Sequence, residues 1–289
     1  MSFIIHGATG AQGAPLFERL KAAGKSVKAA SRNSLNGEYA VTADIASATS
    51  LSKAYDGADA IFVHLPQAPE EVRLSYANNI VSAIGVARPS RVVISTSGSV
   101  VDSPNSQLQA PPTSAIMTLI NGVKDSGISN AVVAPRLYLE NLLLPMVSAP
   151  VTEEGALRYP VRSDYAVSWS SHSDVAKVSE RLLQDATVTG VVGVGHLPGL
   201  VGSDLAAGFA RHFGRDVKFE SLTPQAFGDL IEPFFGPAYA GVVGFYNLHW
   251  QAPANTIDPS TSAQALMGLE PDSVETWLAN SLGSSAPNR

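Results

Sequence analysis

The chain has 289 residues, 45% of them hydrophobic and 15% charged, with a formal net charge of −6. That length is enough to bury a large core, and the composition excludes global disorder, leaving only the tail from Gly283 to Arg289 as a frayed segment. The acidic balance and the lack of any lysine or arginine cluster remove the attraction on which nucleic-acid and anionic-membrane binding depend, and zero cysteines exclude disulfides, thiolate catalysis and zinc–thiolate sites.

Ahead of the first apolar run there is no charged segment with an apolar stretch behind it, and no run of about 18 apolar residues follows. A soluble, cytoplasmic protein without membrane contact is therefore expected. That first run, Phe3-Ile4-Ile5, passes directly into Gly7-Ala8-Thr9-Gly10-Ala11-Gln12-Gly13 and then into Pro15-Leu16-Phe17-Glu18-Arg19-Leu20, whose apolar spacing is helical. A strand, a glycine turn and a helix start in this order allow the backbone to approach a pyrophosphate, because glycine has no Cβ and the helix end presents free N–H groups and a positive dipole. The first ligand expected is a dinucleotide.

Val27–Ala30 reads as the second strand. At its end an acidic residue would accept hydrogen bonds from the free 2′-hydroxyl of NAD, but the sequence is Ser31-Arg32-Asn33. A guanidinium flanked by small polar side chains suits a 2′-phosphate, so NADPH is the expected cofactor. Val41-Thr42-Ala43 follows as a third strand, and Asp44 either receives the adenine amino group or caps the helix over Ser47–Tyr55. Residues 33–43 are too few for a strand plus a crossover helix, which leaves the adenosine side open.

Further strands are expected at Ala60–His64, Val92–Ser95 and Ala131–Ala134, separated by helices near Glu71–Val86 and Thr113–Asp125. Short apolar strands alternating with amphipathic helices define an α/β fold, a Rossmann-type doubly wound parallel sheet. Beyond Pro135 the pattern changes: Pro145, Pro150 and Pro160 are expected to break the chain into short pieces. Ser173 is expected to cap a helix over Asp174–Gln184 ahead of a strand at Val191–Val194, and helices are expected to start at Ser203 and Thr223-Pro224. The expected organisation is a Rossmann domain over residues 1–150 and a smaller α+β C-terminal substrate or lid region over 151–289, of which about 165–195 packs back on the sheet. Phe234-Phe235-Gly236-Pro237 and Phe245-Tyr246-Asn247-Leu248-His249-Trp250 concentrate aromatics without clear periodicity; a small core, a homodimer patch and an apolar lid all remain open for them.

The glycine motif, Ser31-Arg32-Asn33, the stretch Asp56-Gly57-Ala58-Asp59-Ala60-Ile61-Phe62-Val63, the strand Arg91-Val92-Val93-Ile94-Ser95-Thr96-Ser97 and Pro135-Arg136-Leu137-Tyr138-Leu139-Glu140-Asn141 together resemble the NmrA-like branch of atypical short-chain dehydrogenases/reductases. That branch includes NADPH-dependent quinone and triphenylmethane-dye reductases, isoflavone-reductase-type enzymes and non-catalytic NADP(H) sensors. The resemblance implies that Gly7, Thr9, Gly10, Gln12 and Gly13 hold the pyrophosphate and Arg32 the 2′-phosphate, with Leu65-Pro66-Gln67 and Thr96-Ser97 beside the nicotinamide half and Tyr138 at the substrate end. Relatives often carry a lysine soon after the Arg-Asn pair; Ser34-Leu35-Asn36-Gly37 has none.

Ordinary short-chain dehydrogenases place a tyrosine four residues before a lysine that lowers its pKa. None of the eight tyrosines has a lysine at that distance, and the helix where the pair belongs offers Met117 and Asn121. Alcohol dehydrogenation of the usual kind is thereby excluded. Hydride delivery to a quinone or other conjugated aromatic small molecule stays open, because the resulting phenolate has a pKa near about 10 and water can protonate it. Tyr138, Ser97 and His64 are the candidate acids or orienting groups. A non-catalytic NADP(H) redox sensor and an NADPH-using tailoring monooxygenase are the alternatives. The six histidines show no metal-ligand spacing, so no metal is expected.

Overall fold

A computed structural model of the protein describes residues 1–32 and 39–282. Strand β1 (Ser2–His6) leads through the glycine turn into α1 (Gly13–Ala22), β2 (Ser26–Ser31), β3 (Ala40–Thr42) and α2 (Ala48–Tyr55). Then follow β4 (Ala60–His64), α3 (Glu70–Ala87), β5 (Arg91–Ser95), α4 (Ala115–Asp125) and β6 (Ser129–Pro135). After an excursion through α5 (Pro145–Glu154) and β7 (Ala156–Tyr159), α6 (His172–Gln184) returns the chain to β8 (Gly190–Val194), the last strand of a seven-stranded sheet. The order is β3-β2-β1-β4-β5-β6-β8, and every pairing is parallel.

Buried strand residues alternate between two cores, as the period of two requires. Phe3, Ile5, Phe62, Val93, Val133 and Val192 pack with α1 and α6 residues such as Leu16, Leu20, Val175 and Leu182. Ile4, Ile61, Val63, Val92, Ile94 and Val132 face the other way, onto Leu51, Ile80, Ile84, Leu119 and Val123 of α2, α3 and α4. The sheet is thus covered on both faces, and the strand order reverses direction between β1 and β4, where a crevice opens beyond the carboxyl ends of the strands.

A third core lies off that end of the sheet. It is assembled from the excursion and from α7 (Gly202–Phe213), β9 (Lys218–Ser221), α8 (Pro224–Phe235), α9 (Tyr239–Gln251) and, after α10 (Ala263–Met267), which packs instead on the core beside α1 and α6, α11 (Val274–Leu282). Strand β7 pairs in parallel with β9, and Tyr159, Trp169, Phe209, Phe227, Tyr246 and Trp277 are buried there.

Several local expectations need correction. Ser171, not Ser173, caps α6: its Oγ accepts the Asp174 N–H at 3.0 Å while the Asp174 carboxylate accepts the Ser171 N–H at 2.9 Å, a reciprocal cap that needs an acid three residues on. Helix α7 begins at Gly202, with the Asp204 carboxylate accepting the Val201 N–H, so Ser203 sits inside the first turn. Pro150 stands within α5 and does not end it. The aromatic segment is helical; α9 showed no clear period because apolar residues occupy its exposed face as well as its buried one, Phe245 and Leu248 being exposed and Tyr246 buried.

Arg91, at the start of β5, is fully buried at the opposite end of the sheet from the crevice. Its Nε donates to the Leu182 carbonyl at 3.0 Å, Nη1 to Ser129 Oγ at 2.7 Å and Nη2 to the carbonyls of Asp185 and Val188. One guanidinium therefore joins β5, the start of β6, the end of α6 and the turn into β8.

Candidate functional site

The glycine turn at the end of β1 takes its shape from two close approaches. Gly7 has φ +61°, and a Cβ there would stand 2.4 Å from His64 Nε2; a Cβ on Gly13 would stand 2.2 Å from the Gly7 carbonyl oxygen. Only glycine fits either place. The Gly10 N–H donates to the Gly7 carbonyl at 2.7 Å, closing the turn against the start of α1.

Beside this turn lies a cavity of about 470 Å³. Gly7 and Thr9 form its floor with His64, Ser31 and Arg32 stand at the end of β2, and Ala43, Ile45, Pro66 and Gln67 close the sides. Arg32 is exposed at the rim, and Asn33 lies outside the described residues. Asp44, between two lining residues, turns its carboxylate onto its own loop, accepting the Ala46 N–H at 3.0 Å, while Ser47 caps α2.

Under the turn, His6 and Tyr55 are buried, with the Tyr55 hydroxyl 2.7 Å from His6 Nε2. Burial, helped by the nearby His64, pushes the His6 pKa down to about 3, and burial also lowers that of His64. Both imidazoles are neutral at neutral pH.

A second cavity, of about 400 Å³, adjoins the first, and Gln67 lines both. Leu65, Thr96, Ser97, Arg136, Tyr138, Asn141 and Phe245 surround it, with Gln12 reaching in from the start of α1. Ser97 has φ +54°, a left-handed conformation that costs a non-glycine residue on the order of 1 kcal/mol and persists only where neighbours impose it. Here Gln12 Nε2 donates to Ser97 Oγ at 2.9 Å, and the Ser97 N–H donates to Ser95 Oγ at 3.2 Å.

The Thr96 and Tyr138 hydroxyls are buried and have no hydrogen-bond partner among the described residues. Burial drives the Tyr138 pKa well above its ordinary value; the neighbouring Ser95 hydroxyl opposes this and the Glu140 charge adds to it. The Tyr138 ring lies 4.5 Å from that of His172, whose Nδ1 is 3.6 Å from the Glu140 carboxylate. Burial lowers the His172 pKa and Glu140 opposes the shift. Arg136, with no side-chain exposure, pairs with Asp102 at 2.6 Å.

The structure brings Ser97 and Tyr138 into one cavity and puts His64 in the neighbouring one, beneath the glycine turn. Thr96 and Leu65 join the former and Pro66 the latter. The aromatic segment divides by residue: Tyr246 is core, Phe245 is cavity wall, and Phe234 is 70% exposed. Sequence reading missed Ser95, Asp102 and His172, which reach the site through contacts between distant segments, while Phe245 takes the wall position that was one of the readings open for its segment. Among the described residues no helix is long and apolar enough to cross a membrane.

A seven-stranded parallel sheet with a glycine turn at its strand-order reversal defines a Rossmann-like protein. The chain belongs to the NmrA-like family, whose model matches residues 2–278. It is 27% identical over 243 residues to an NAD(P)H azoreductase of Xenophilus azovorans, spanning 76% of this chain and 77% of that protein. Its fold matches the triphenylmethane reductase of Citrobacter sp., crystallised with NADP(H), at TM-score 0.77 and 16% identity, covering 96% and 98% of the two chains. The NADPH-dependent quinone oxidoreductase of Escherichia coli matches at TM-score 0.72 and 19% identity, covering 97% and 99%.

Proposed function

We propose that the protein is an NADPH-dependent oxidoreductase that delivers hydride to a quinone-like or other conjugated aromatic small molecule without a tyrosine–lysine acid pair. One observation carries this reading: two adjoining cavities at the strand-order reversal share Gln67, one floored by the glycine turn and edged by Arg32, the other walled by hydroxyls and Phe245. The residues fit the cofactor. Gly7 and Gly13 leave room that any Cβ would fill, and Arg32 stands at the end of β2 with no acidic residue beside it among those described.

NADPH, when bound, supplies the hydride. The glycine turn and the start of α1 hold its pyrophosphate, Arg32 its 2′-phosphate, and the second cavity orients the acceptor against Leu65, Leu137 and Phe245. Tyr138, with its pKa raised by burial, stays protonated and is too weak an acid to protonate a phenolate; together with Thr96 and Ser97 it donates hydrogen bonds to the oxygen on which charge develops. Water then protonates a phenolate of pKa about 10.

The names of the azoreductase, triphenylmethane reductase and quinone oxidoreductase relatives support an extended π-system as acceptor. The test is calorimetric titration with NADPH and NADH, followed by the loss of NADPH absorbance with quinones and azo dyes. Acceptor-dependent oxidation is expected. The departure from the tyrosine–lysine pattern at Met117 and Asn121 favours a redox sensor as the second reading, and tight NADPH binding without turnover on any acceptor would establish it in place of the first. Oxygen-dependent oxidation would point to the monooxygenase.

A further inference from the structure

Gln12 belongs to the glycine turn by sequence, yet its side chain leaves the turn and ends between two serines of β5 and the residues just beyond it. Ser95 Oγ donates to Gln12 Oε1 at 2.6 Å, and Gln12 Nε2 donates to Ser97 Oγ at 2.9 Å. In this orientation the amide oxygen accepts from one serine hydroxyl and the amide nitrogen donates to the other, both at hydrogen-bonding length. Ser95 Oγ also accepts the Ser97 N–H at 3.2 Å, which closes a three-residue ring of donors and acceptors.

This arrangement determines where the Ser97 hydrogen goes. Ser97 Oγ accepts from Gln12, and no acceptor among the described residues receives its own O–H. With φ at +54°, Ser97 is held in a conformation its backbone disfavours, at the wall of the second cavity. The amide of Gln12 thus anchors the oxygen and leaves the hydrogen as the only donor that Ser97 can offer to a ligand. Each polar end of the Gln12 side chain makes one hydrogen bond in doing so.

We propose that Gln12 is a positioning residue that aims the Ser97 hydroxyl hydrogen at the acceptor's oxygen, coupling the glycine turn to the substrate cavity. This rests on the reading of the second cavity as the acceptor site. The same residue that begins α1 beside the pyrophosphate site sets the direction of a hydrogen bond at the other cavity.

The test is a double-mutant cycle of Gln12→Met and Ser97→Ala, reading kcat and KM for a quinone alongside the NADPH dissociation constant by fluorescence titration. Gln12→Met keeps the length and apolar volume of the side chain and removes both bonds. It is expected to lower kcat about tenfold, the worth of one aimed hydrogen bond, while NADPH affinity and the quinone KM each move less than about threefold. In the Ser97→Ala background the same change is expected to cost less than about twofold, because nothing is left to aim. Ser95→Ala, which frees Gln12 Oε1, provides an independent variant and is expected to lower kcat about threefold. Equal losses in both backgrounds, or a loss residing wholly in NADPH affinity, would overturn the coupling while leaving the reductase reading in place. A wild-type protein that binds NADPH and reduces no acceptor would overturn both.

Discussion

The first cavity draws its lining from residues 6–76 and lies against the glycine turn, whose shape is set by which atoms glycine omits. The second is built from side chains brought together from the start of α1, the ends of β4 and β5, the segment after β6 and helix α9, so that Gln12 and Phe245 face one space. One is a short, local device that any nucleotide-binding turn can share; the other depends on the packing of a third core that has no counterpart in the sheet. On the proposed reading, cofactor and acceptor would thus be held by different kinds of structure in the same crevice.

The contrast is broken most severely at Gly13. Gly13→Val drives two extra carbons beyond a Cβ already 2.2 Å from the Gly7 oxygen, so the turn must open. NADPH affinity is expected to fall at least about a hundredfold by calorimetry, with the thermal midpoint falling as well. Retained affinity would mean that the turn does not hold the cofactor.

Arg32→Glu acts on charge alone at the rim of the same cavity. The NADPH dissociation constant is expected to rise about fiftyfold and that for NADH less than about threefold, since only the former carries a 2′-phosphate. Equal changes would show that Arg32 does not read the phosphate.

Beneath the turn, the neutral burial of His6 links the first cavity's support to pH. Above its ordinary pKa of 6.5 neither state binds a proton; as pH falls from there towards about 3, the unfolded chain takes one up and the folded chain does not, so stability drops with falling pH. Between about pH 6.5 and pH 5 the loss from this residue alone is about 2 kcal/mol, visible as a falling urea midpoint. His6→Phe is expected to be less stable at pH 7 and to show a shallower decline, and an unchanged slope would remove His6 as the cause.

Phe245→Ala sharpens the comparison from the other side. It strips apolar wall from the second cavity only, so KM for an aromatic acceptor is expected to rise about fivefold while NADPH affinity is unchanged. A parallel loss of NADPH affinity would show that the two cavities are not separable.

How far the sequence revealed all this follows the same division. Strands β1, β4, β5 and β6 and the turn between β1 and α1 were readable because apolar runs, helical spacing and glycine positions are local signals. The start of α6 was misplaced by two residues because two serines compete for one cap, and the acid that decides between them, Asp174, was counted inside the helix rather than as half of the cap. Helix α9 was hidden because its exposed face is as apolar as its buried one, so the pattern that marks an amphipathic helix is missing. Tyr138 and Ser97 were proposed from the segments in which they stand, and they line one cavity, whereas His172 at 4.5 Å from Tyr138 and Asp102 at 2.6 Å from Arg136 are joined only by the folded chain.

Arg91 gives the fold a further property. The chain departs from the sheet after β6 and comes back with α6 and β8, and that point of return is fastened by one guanidinium to carbonyls at Leu182, Asp185 and Val188. A lysine there has no planar fork with which to meet those acceptors together with Ser129. The return is thereby tied at the end of the sheet remote from the crevice, so the segment between β6 and α6 that builds the third core hangs from two points of one sheet, the end of β6 and this buried fork.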